Sequence, residues 1–305
     1  IKMDWGCTRE YVQEFARHFG FRLRFSFREG GFAGELLRLG ASAPVTFEDI
    51  ETGSMITSYG AKWEESEFLS KRIEQLYNEG STEEAEKLVI SLKKLGYRFK
   101  WPAKSGDLSR RWCSSALKVE VCDRLICNST ATASGKFLFI DGVRREESTG
   151  RSKYNEMQLA TTNTKRRLVH HWRAIIDWPE SKVWEIIEKY RVRPAPCYYA
   201  GYSRCSCAAC IFALPGHYKS YKEIFPERFD TLVDFEKKLD FTIDNKKDLL
   251  SYIDGCESCI PKDIDGRIIE YLRGDRPLNG YTILKDRDTW QLPCGSFKGS
   301  GGGPV

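Results

Sequence analysis

The stretch Phe137-Leu138-Phe139-Ile140-Asp141-Gly142-Val143-Arg144-Arg145-Glu146-Glu147-Ser148 decides how the chain is read. Its first four residues form a continuous apolar run without polar alternation. That pattern predicts a central strand of a parallel sheet, buried on both faces. A charged turn follows at once. In open parallel sheets ligands collect in the crevice at the carboxyl ends of strands. Asp141, Gly142, Arg144, Arg145, Glu147, Ser148 and, beyond them, Arg151 are therefore read as a ligand-binding loop, with a solvated charge run as the alternative. Gly142 permits a tight exit from the strand. Paired arginines grip phosphate or sulfate oxygens in bidentate fashion, with a charge that does not titrate away.

Upstream, Thr8 can cap a helix whose Val12, Phe15, Ala16 and Phe19 share one face, and Gly20 ends it. Phe21, Leu23, Phe25 and Phe27 alternate, which predicts a strand with one buried face before the turn at Gly30 and Gly31. Ser81 and Glu84 form a capping pair ahead of Leu88, Leu92 and Leu95, marking a peripheral helical insertion around 60–98. Another helix is expected after Arg111–Cys113, with Leu117, Val121 and Leu125 at helical spacing. A strand over 168–176 and a helix from Pro179, striped by Val183, Ile186, Ile187 and Tyr190, follow. The reading is an α/β domain over 1–176 and a Cys-rich, mostly helical metal-binding region over 177–290. Within the latter, a loop spans 197–216 and helices lie around 220–239 and 246–253; a flexible tail covers 291–305.

Composition sets the outer limits. Hydrophobic residues make up 41% of the 305 and aromatics 13%, enough for a packed core, so wholesale disorder is excluded. No apolar run approaches the roughly 18–20 residues of a membrane helix. No charged-then-apolar leader is seen, so a cytoplasmic location is expected. The net charge of +5 permits an anionic ligand such as a nucleotide or DNA without requiring one, and Lys165, Arg166 and Arg167 form a weak basic patch for nucleic acid. Eleven cysteines, an odd number and partly clustered, point to metal or redox sites rather than structural disulfides. Isolated Cys7, Cys122, Cys127 and Cys294 are expected to be small buried hydrophobes.

Two further constellations carry chemistry. Arg110-Arg111-Trp112-Cys113 opens a helix that bears Lys118 one to two turns on. Free N–H groups and the helix dipole favour an anion there and would lower the pKa of Cys113. In Arg204-Cys205-Ser206-Cys207-Ala208-Ala209-Cys210, the C-x-x-C pair can put two sulfurs on one metal, iron–sulfur or zinc. Further ligands must come from elsewhere: Cys113 first, then Cys205 or Cys197. A four-thiolate zinc site of Cys207, Cys210, Cys256 and Cys259 competes, as does a bare redox pair.

The ordered blocks R-W-C-S-S-x-L-K (111–118), D-G-V-R-R-E-E-S (141–148), W-x-x-x-x-D-W-P-x-x-x-V-W (172–184) and R-x-S-C-A-A-C-I-F (204–212) resemble the phosphoadenosine phosphosulfate (PAPS) reductase family of the PP-loop ATP pyrophosphatase superfamily. The likeness is greatest to its iron–sulfur relatives, which include the sulfurtransferases of DNA phosphorothioation. Met3-Asp4-Trp5 through Phe32 share it, and it extends from residue 1 to about 250. The resemblance implies a Rossmann-like, adenine nucleotide alpha hydrolase-like parallel sheet with helices on both faces. It also implies ATP-dependent sulfur transfer. ATP binds with Mg²⁺, a substrate oxygen is adenylated with release of pyrophosphate, and sulfur displaces the activated oxygen. Arg144, Arg145 and Lys118 would be catalytic. Arg111, Asp141, Gly142, Glu147, Ser148 and Arg151 would bind nucleotide or substrate. Cys113, Cys207, Cys210 and Cys205, or Cys197 in place of the last, would hold a 4Fe–4S cluster, with zinc the alternative. A cysteine desulfurase would donate sulfur and DNA would accept it.

The chain departs from the family in lacking the phosphate loop S-G-G-K-D-S, whose backbone N–H groups cradle phosphates. Gly301 to Gly303 lie in a tail and cannot replace it. The expectation is a fragment of a longer protein. Three other functions remain open: reduction of PAPS or its non-phosphorylated relative to sulfite, tRNA thiolation, and a non-catalytic metal-stabilised module that binds nucleic acid or protein. Reduction would need a mobile cysteine, and Pro293-Cys294-Gly295 departs from the family's E-C-G-(I/L)-H tail.

Overall fold

A computed structural model describes residues 2–285 and 288–298. Helix α1 (Thr8–Phe19) ends where Gly20 turns left-handed at φ 70°, and it is Cys7, not Thr8, that occupies its N-cap position. An antiparallel sheet follows, built from β1 (Ser26–Arg28), β2 (Val45–Glu48) and β3 (Met55–Ser58), with the short helix α2 (Gly31–Leu36) between its first two strands. The alternation from Phe21 predicts a longer strand with the phenylalanines inward. Instead Phe21 is 63% and Phe27 46% exposed, while Arg28 is buried. The chain becomes a strand only at Ser26, and Phe21 lies against Phe15 and Phe19 of α1.

Helices α3 (Trp63–Asn78) and α4 (Thr82–Leu95) pack together in the region of the expected insertion. The helix expected after Arg111 is broken in three: α5 (Trp112–Ser114), a π-helical turn over Ser115–Val119, and α6 (Glu120–Asn128). Single π turns inside helices recur at functional sites, because they re-aim side chains that a regular helix would space evenly.

The second sheet holds β4 (Gly135–Asp141), β5 (Met157–Leu159) and β6 (Arg167–Arg173), in the order β4-β6-β5. β4 runs parallel to β6, with Phe137 opposite Val169 and Asp141 opposite Arg173; β5 is antiparallel. The chain is thus a mixed α/β protein, but among the described residues the two small sheets do not form one parallel sheet with helices on both faces. The central strand is β6, and β4 is not buried on both faces: Leu138 is 50% and Ile140 54% exposed. An apolar run reports burial of residues but not which strand covers which face, so an edge strand with one open face has the same sequence signature.

Helix α7 (Glu180–Lys189) begins at Pro179, as expected. Then come α8 (Pro196–Tyr199), α9 (Pro215–Ile224), α10 (Pro226–Leu239), α11 (Leu249–Ile253) and α12 (Gly266–Arg273). The single helix expected over 220–239 is two, since Pro226 offers no N–H to continue α9 and instead starts α10. The main core joins Trp5, Leu36, Trp101 and Trp112 to Tyr218, Tyr221, Phe229, Leu232 and Leu272, so the expected boundary at 176/177 does not divide it. Each such large side chain contributes roughly 1.5–3 kcal/mol by leaving water. Residues 291–298 pack on α8 instead of forming a free tail: Gly295 N–H donates to Tyr198 O (2.9 Å) and Tyr199 Oη to Gln291 O (3.0 Å). The rest of the expected tail, 299–305, lies outside the described residues.

Candidate functional site

At the carboxyl end of β4, both oxygens of Asp141 are engaged. Oδ1 accepts the Val143 N–H (3.1 Å) and Oδ2 stands 2.6 Å from His171 Nε2 on the neighbouring strand. Arg173 Nη2 approaches the other ring nitrogen of His171 at 3.4 Å, and its Nη1 donates to Asn155 O at 2.8 Å. Nε2–H facing Asp141 and a lone pair facing Arg173 is the tautomer this arrangement favours. The sequence motifs name neither His171 nor Arg173; the signal for them is a His-His-Trp-Arg run ending a strand, where alternate positions face the crevice.

The loop after β4 is fastened to the Asp177-Trp178-Pro179 block. Arg145 pairs with Asp177 and donates to Tyr154 O (2.9 Å), and its own N–H reaches Ile176 O (2.8 Å). Arg144 binds Glu146 (2.7 Å) and the Trp178 carbonyl (3.2 Å), while Glu146 also accepts the Glu180 N–H (2.8 Å). Glu147 pairs with Arg151, whose N–H reaches Ser148 Oγ (3.3 Å). Arg144 and Arg145 are therefore held by carboxylates and carbonyls that fix the loop, rather than presented as open anion grips. A Cβ at Gly142 would meet only Ile175 Cδ1, at 3.8 Å, so the strand's exit does not depend on a glycine there.

Arg111 is arranged differently. Its Nε and Nη1 are buried, and among the described residues neither has a hydrogen-bond acceptor. Its guanidinium lies 5.7 Å from the Phe212 ring centre and within electrostatic reach of Cys113, Arg151, Tyr154 and Cys210. Burial lowers its pKa. Arg111 thus joins the loop that follows β4 to the thiols. Lys118, on the π turn, is within electrostatic reach of both Cys113 and Cys207.

The cysteines form two neighbourhoods. After burial, the larger cause, Cys210 raises the pKa of Cys113, and Cys210 and Cys113 raise that of Cys207. The expectation of a lowered pKa at Cys113 is corrected: α5 is a single turn with little dipole to offer, and burial pushes the thiol up, as it pushes Cys207 up to about 11. In the second neighbourhood, Cys197 S–H donates to Cys205, which holds Cys205 below the ordinary thiol value and pushes Cys197 above it, with Cys7 close by. The segment around Met3–Trp5 clamps this loop: Ala208 N–H donates to Met3 O (2.7 Å) and Trp5 Nε1 to Ser206 O (3.0 Å).

Three soft thiols beside a lysine are a donor set suited to a thiolate-bound metal. Among the described residues, however, no three His, Cys, Asp or Glu side chains stand in a metal-holding arrangement. Cys259 bonds instead to Ser220 Oγ (2.9 Å), and Cys256 approaches Tyr252 O, so their thiols face partners other than Cys207 and Cys210. Of the cysteines expected to be buried, Cys7 is, Cys122 is half-buried, and Cys127 and Cys294 are exposed. The basic patch also shrinks. Arg167 is 5% exposed, with its guanidinium spent on the carbonyls of Thr162 and Thr132 and on Cys127.

Residues 69–213 match the family model described as the phosphoadenosine phosphosulfate reductase domain, a range that contains every site residue from Arg111 to Cys210. An uncharacterized 37.8 kDa protein of Escherichia phage 186 is 26% identical over 165 residues, 52% of this chain and 48% of its own. An uncharacterized protein of Methanocaldococcus jannaschii is 29% identical over 135 residues, 44% of this chain and 31% of its own. The chain therefore spans less than half the length of either relative. No solved structure gives a significant match. The domain match supports the family that the motifs resemble. Among the described residues no helix is long and apolar enough to cross a membrane.

Proposed function

We propose that this chain belongs to an ATP-dependent sulfurtransferase of PAPS-reductase type, with a DNA backbone oxygen as its acceptor. The observation that carries the reading is Arg111, whose Nε and Nη1 are buried without an acceptor among the described residues and which lies within electrostatic reach of Cys113, Cys210 and Arg151. A guanidinium in that state gains most from an oxyanion, which pairs its donors and offsets the cost of burying its charge.

On this reading ATP would bind at the carboxyl ends of β4 and β6, with Mg²⁺ to offset the charge of its phosphates. The acceptor oxygen attacks the α-phosphorus, a P–O bond forms, and the bond to pyrophosphate breaks. Arg111, Lys118 and Arg151 neutralise charge that develops there, which is work of positioning and electrostatics. Arg144, Arg145, Asp141 and Glu147 hold the loop in shape, and Ser148 orients the acceptor. Sulfur from a cysteine desulfurase, released at the sulfide level by a thiol reductant, then attacks the DNA phosphorus, and a P–S bond forms as the P–O bond to AMP breaks. Cys113, Cys207 and Cys210, with Cys205 or Cys197, would hold a 4Fe–4S cluster or zinc. When bound, that group would supply a carrier for sulfur.

The test is pyrophosphate release from ATP by anaerobically purified protein given a desulfurase and DNA, with Arg111→Ala as comparator. The expected loss in the variant is at least about 100-fold. Sulfite released from PAPS or its non-phosphorylated relative would replace sulfur transfer by reduction. Thiolated tRNA would move the acceptor. No turnover of any of these would leave a binding module.

A further inference from the structure

The segment Lys93-Lys94-Leu95-Gly96-Tyr97-Arg98-Phe99-Lys100 links α4 to the approach to Arg111 and carries four cations and no acid. Its backbone is held by a bridge between Leu39 and Tyr97 and by Arg98 and Phe99 N–H groups donating to Arg38 O and Leu36 O, both at 3.0 Å. Side chains therefore alternate. Arg98 turns inward, to Glu35 (3.3 Å) and over the Trp112 ring (4.5 Å). Tyr97 and Phe99 turn outward and stack on each other, with ring centres 5.3 Å apart and planes within 15°. They remain 55% and 37% exposed.

Phe99 sits at φ 50°, in the left-handed region that L-residues with a bulky side chain avoid. Phenylalanine has no polar atom with which to compensate locally, as asparagine or aspartate would. A strained residue that presents an aromatic ring to water points to use of that ring. Lys93 lies 5.5 Å from the Tyr97 ring centre, and Lys94 and Lys100, near it in the chain, are exposed. A cavity of about 220 Å³ that shares Leu95 with this segment is lined by Arg28, Arg38, Lys62 and Arg124, with Glu120 among them.

We infer that Tyr97 and Phe99 form a stacking platform for bases of single-stranded nucleic acid, whose phosphates the neighbouring lysines neutralise. Flat exposed rings ringed by cations are how proteins hold unpaired bases without reading sequence. Paired bases in a duplex present only their edges, so the platform selects single strands. Arg98, between Tyr97 and Phe99 in the chain, lies over Trp112, which adjoins Arg111 and Cys113, so the platform and the candidate site share this contact. The link to the site rests on the sulfur-transfer reading; binding to the platform does not.

The test is fluorescence anisotropy of the full chain with an end-labelled single-stranded DNA oligonucleotide, the same sequence as RNA, and the duplex. Phe99→Gly keeps the left-handed backbone and removes the ring; Tyr97→Ala removes its partner; Phe68→Ala deletes an unrelated exposed ring. Each platform variant should weaken single-strand binding at least about 10-fold. Phe68→Ala should not, duplex binding should stay weak, and Phe99→Gly should melt no earlier than the parent chain. DNA and RNA binding alike would fit the platform, and a preference for one would name the acceptor class. The inference is overturned if both platform variants bind single strands as the parent does, or if what they lose is binding of ATP alone. Binding of ATP, read on the same variants without nucleic acid, keeps either outcome separate from the fate of the adenylation reading.

Discussion

His171 Nε2 lies 2.6 Å from Asp141 Oδ2, so the carboxyl ends of β4 and β6 are tied side chain to side chain as well as through the sheet. With Val143 N–H on the other oxygen and Arg173 on the other ring nitrogen, the pair positions the loop that leaves β4. Asp141→Ala strands the Val143 donor and the His171 ring. It should cost about 1–3 kcal/mol of stability, read by denaturant unfolding, and should raise the KM for nucleotide more than it lowers kcat. An equal fall in kcat with KM unchanged would make Asp141 a group acting at the reacting atoms.

Arg111 should trade stability against function. Its buried Nε and Nη1 have no acceptor among the described residues, so the folded chain bears a desolvation cost that a ligand removes. Arg111→Met should raise the thermal midpoint and abolish anion binding, and Arg111→Lys should lose most of the binding because a point charge cannot make the fork. A destabilised Arg111→Met would show the guanidinium to be a structural brace.

Glu35 is 1% exposed and faces three guanidinium groups: Arg28 at 3.6 Å, Arg38 at 3.3 Å and Arg98 at 3.3 Å. Burial lowers the Arg98 pKa to about 10, and Glu35 acts against that shift. Glu35→Ala leaves the cations facing one another and should cost about 3–5 kcal/mol by chemical denaturation. Since Arg98 also covers Trp112, the same variant should loosen the start of α5 in hydrogen exchange.

Acid should loosen the antiparallel hairpin at Asp49. Asp49 accepts from Thr52 N–H, Ser129 Oγ–H and Thr130 N–H and Oγ1–H, and these donors hold its carboxyl well below the usual range. A carboxyl with a depressed folded pKa contributes stability that is fully present above its unfolded value, about 3.9, and that fades as pH falls through the folded value. Asp49→Asn should therefore be less stable than the parent at neutral pH, with the gap closing below about pH 4. A gap that is constant with pH would show that the charge is not what the donors recognise.

Much of the site was legible in sequence because its pieces are short and local. Arg111–Cys113, Asp141–Ser148 and Arg204–Cys210 carry their residue types in fixed spacing, and the structure brings the first and last together at Arg111, Cys113 and Cys210. What was not legible is long-range. Nothing near Arg145 announces that Asp177 will neutralise it, or that the apparent anion grip is a loop fastener. Nothing near Cys205 announces Cys197 as its partner. The run Phe137–Ile140 marks a strand but not its neighbours, so β4 was expected at the centre and stands with one face open. Lys165-Arg166-Arg167 looked like surface charge until the carbonyls around Arg167 were in view.

The most direct test of the account is the visible spectrum and iron content of anaerobically prepared protein, taken for the parent chain and for Cys113→Ser, Cys207→Ser, Cys210→Ser and Cys259→Ser. The parent protein should be brown with broad absorption, lost in the first three variants and kept in Cys259→Ser, whose thiol already bonds Ser220. A colourless, iron-free parent whose Cys207 and Cys210 thiols react freely with a thiol reagent would contradict it.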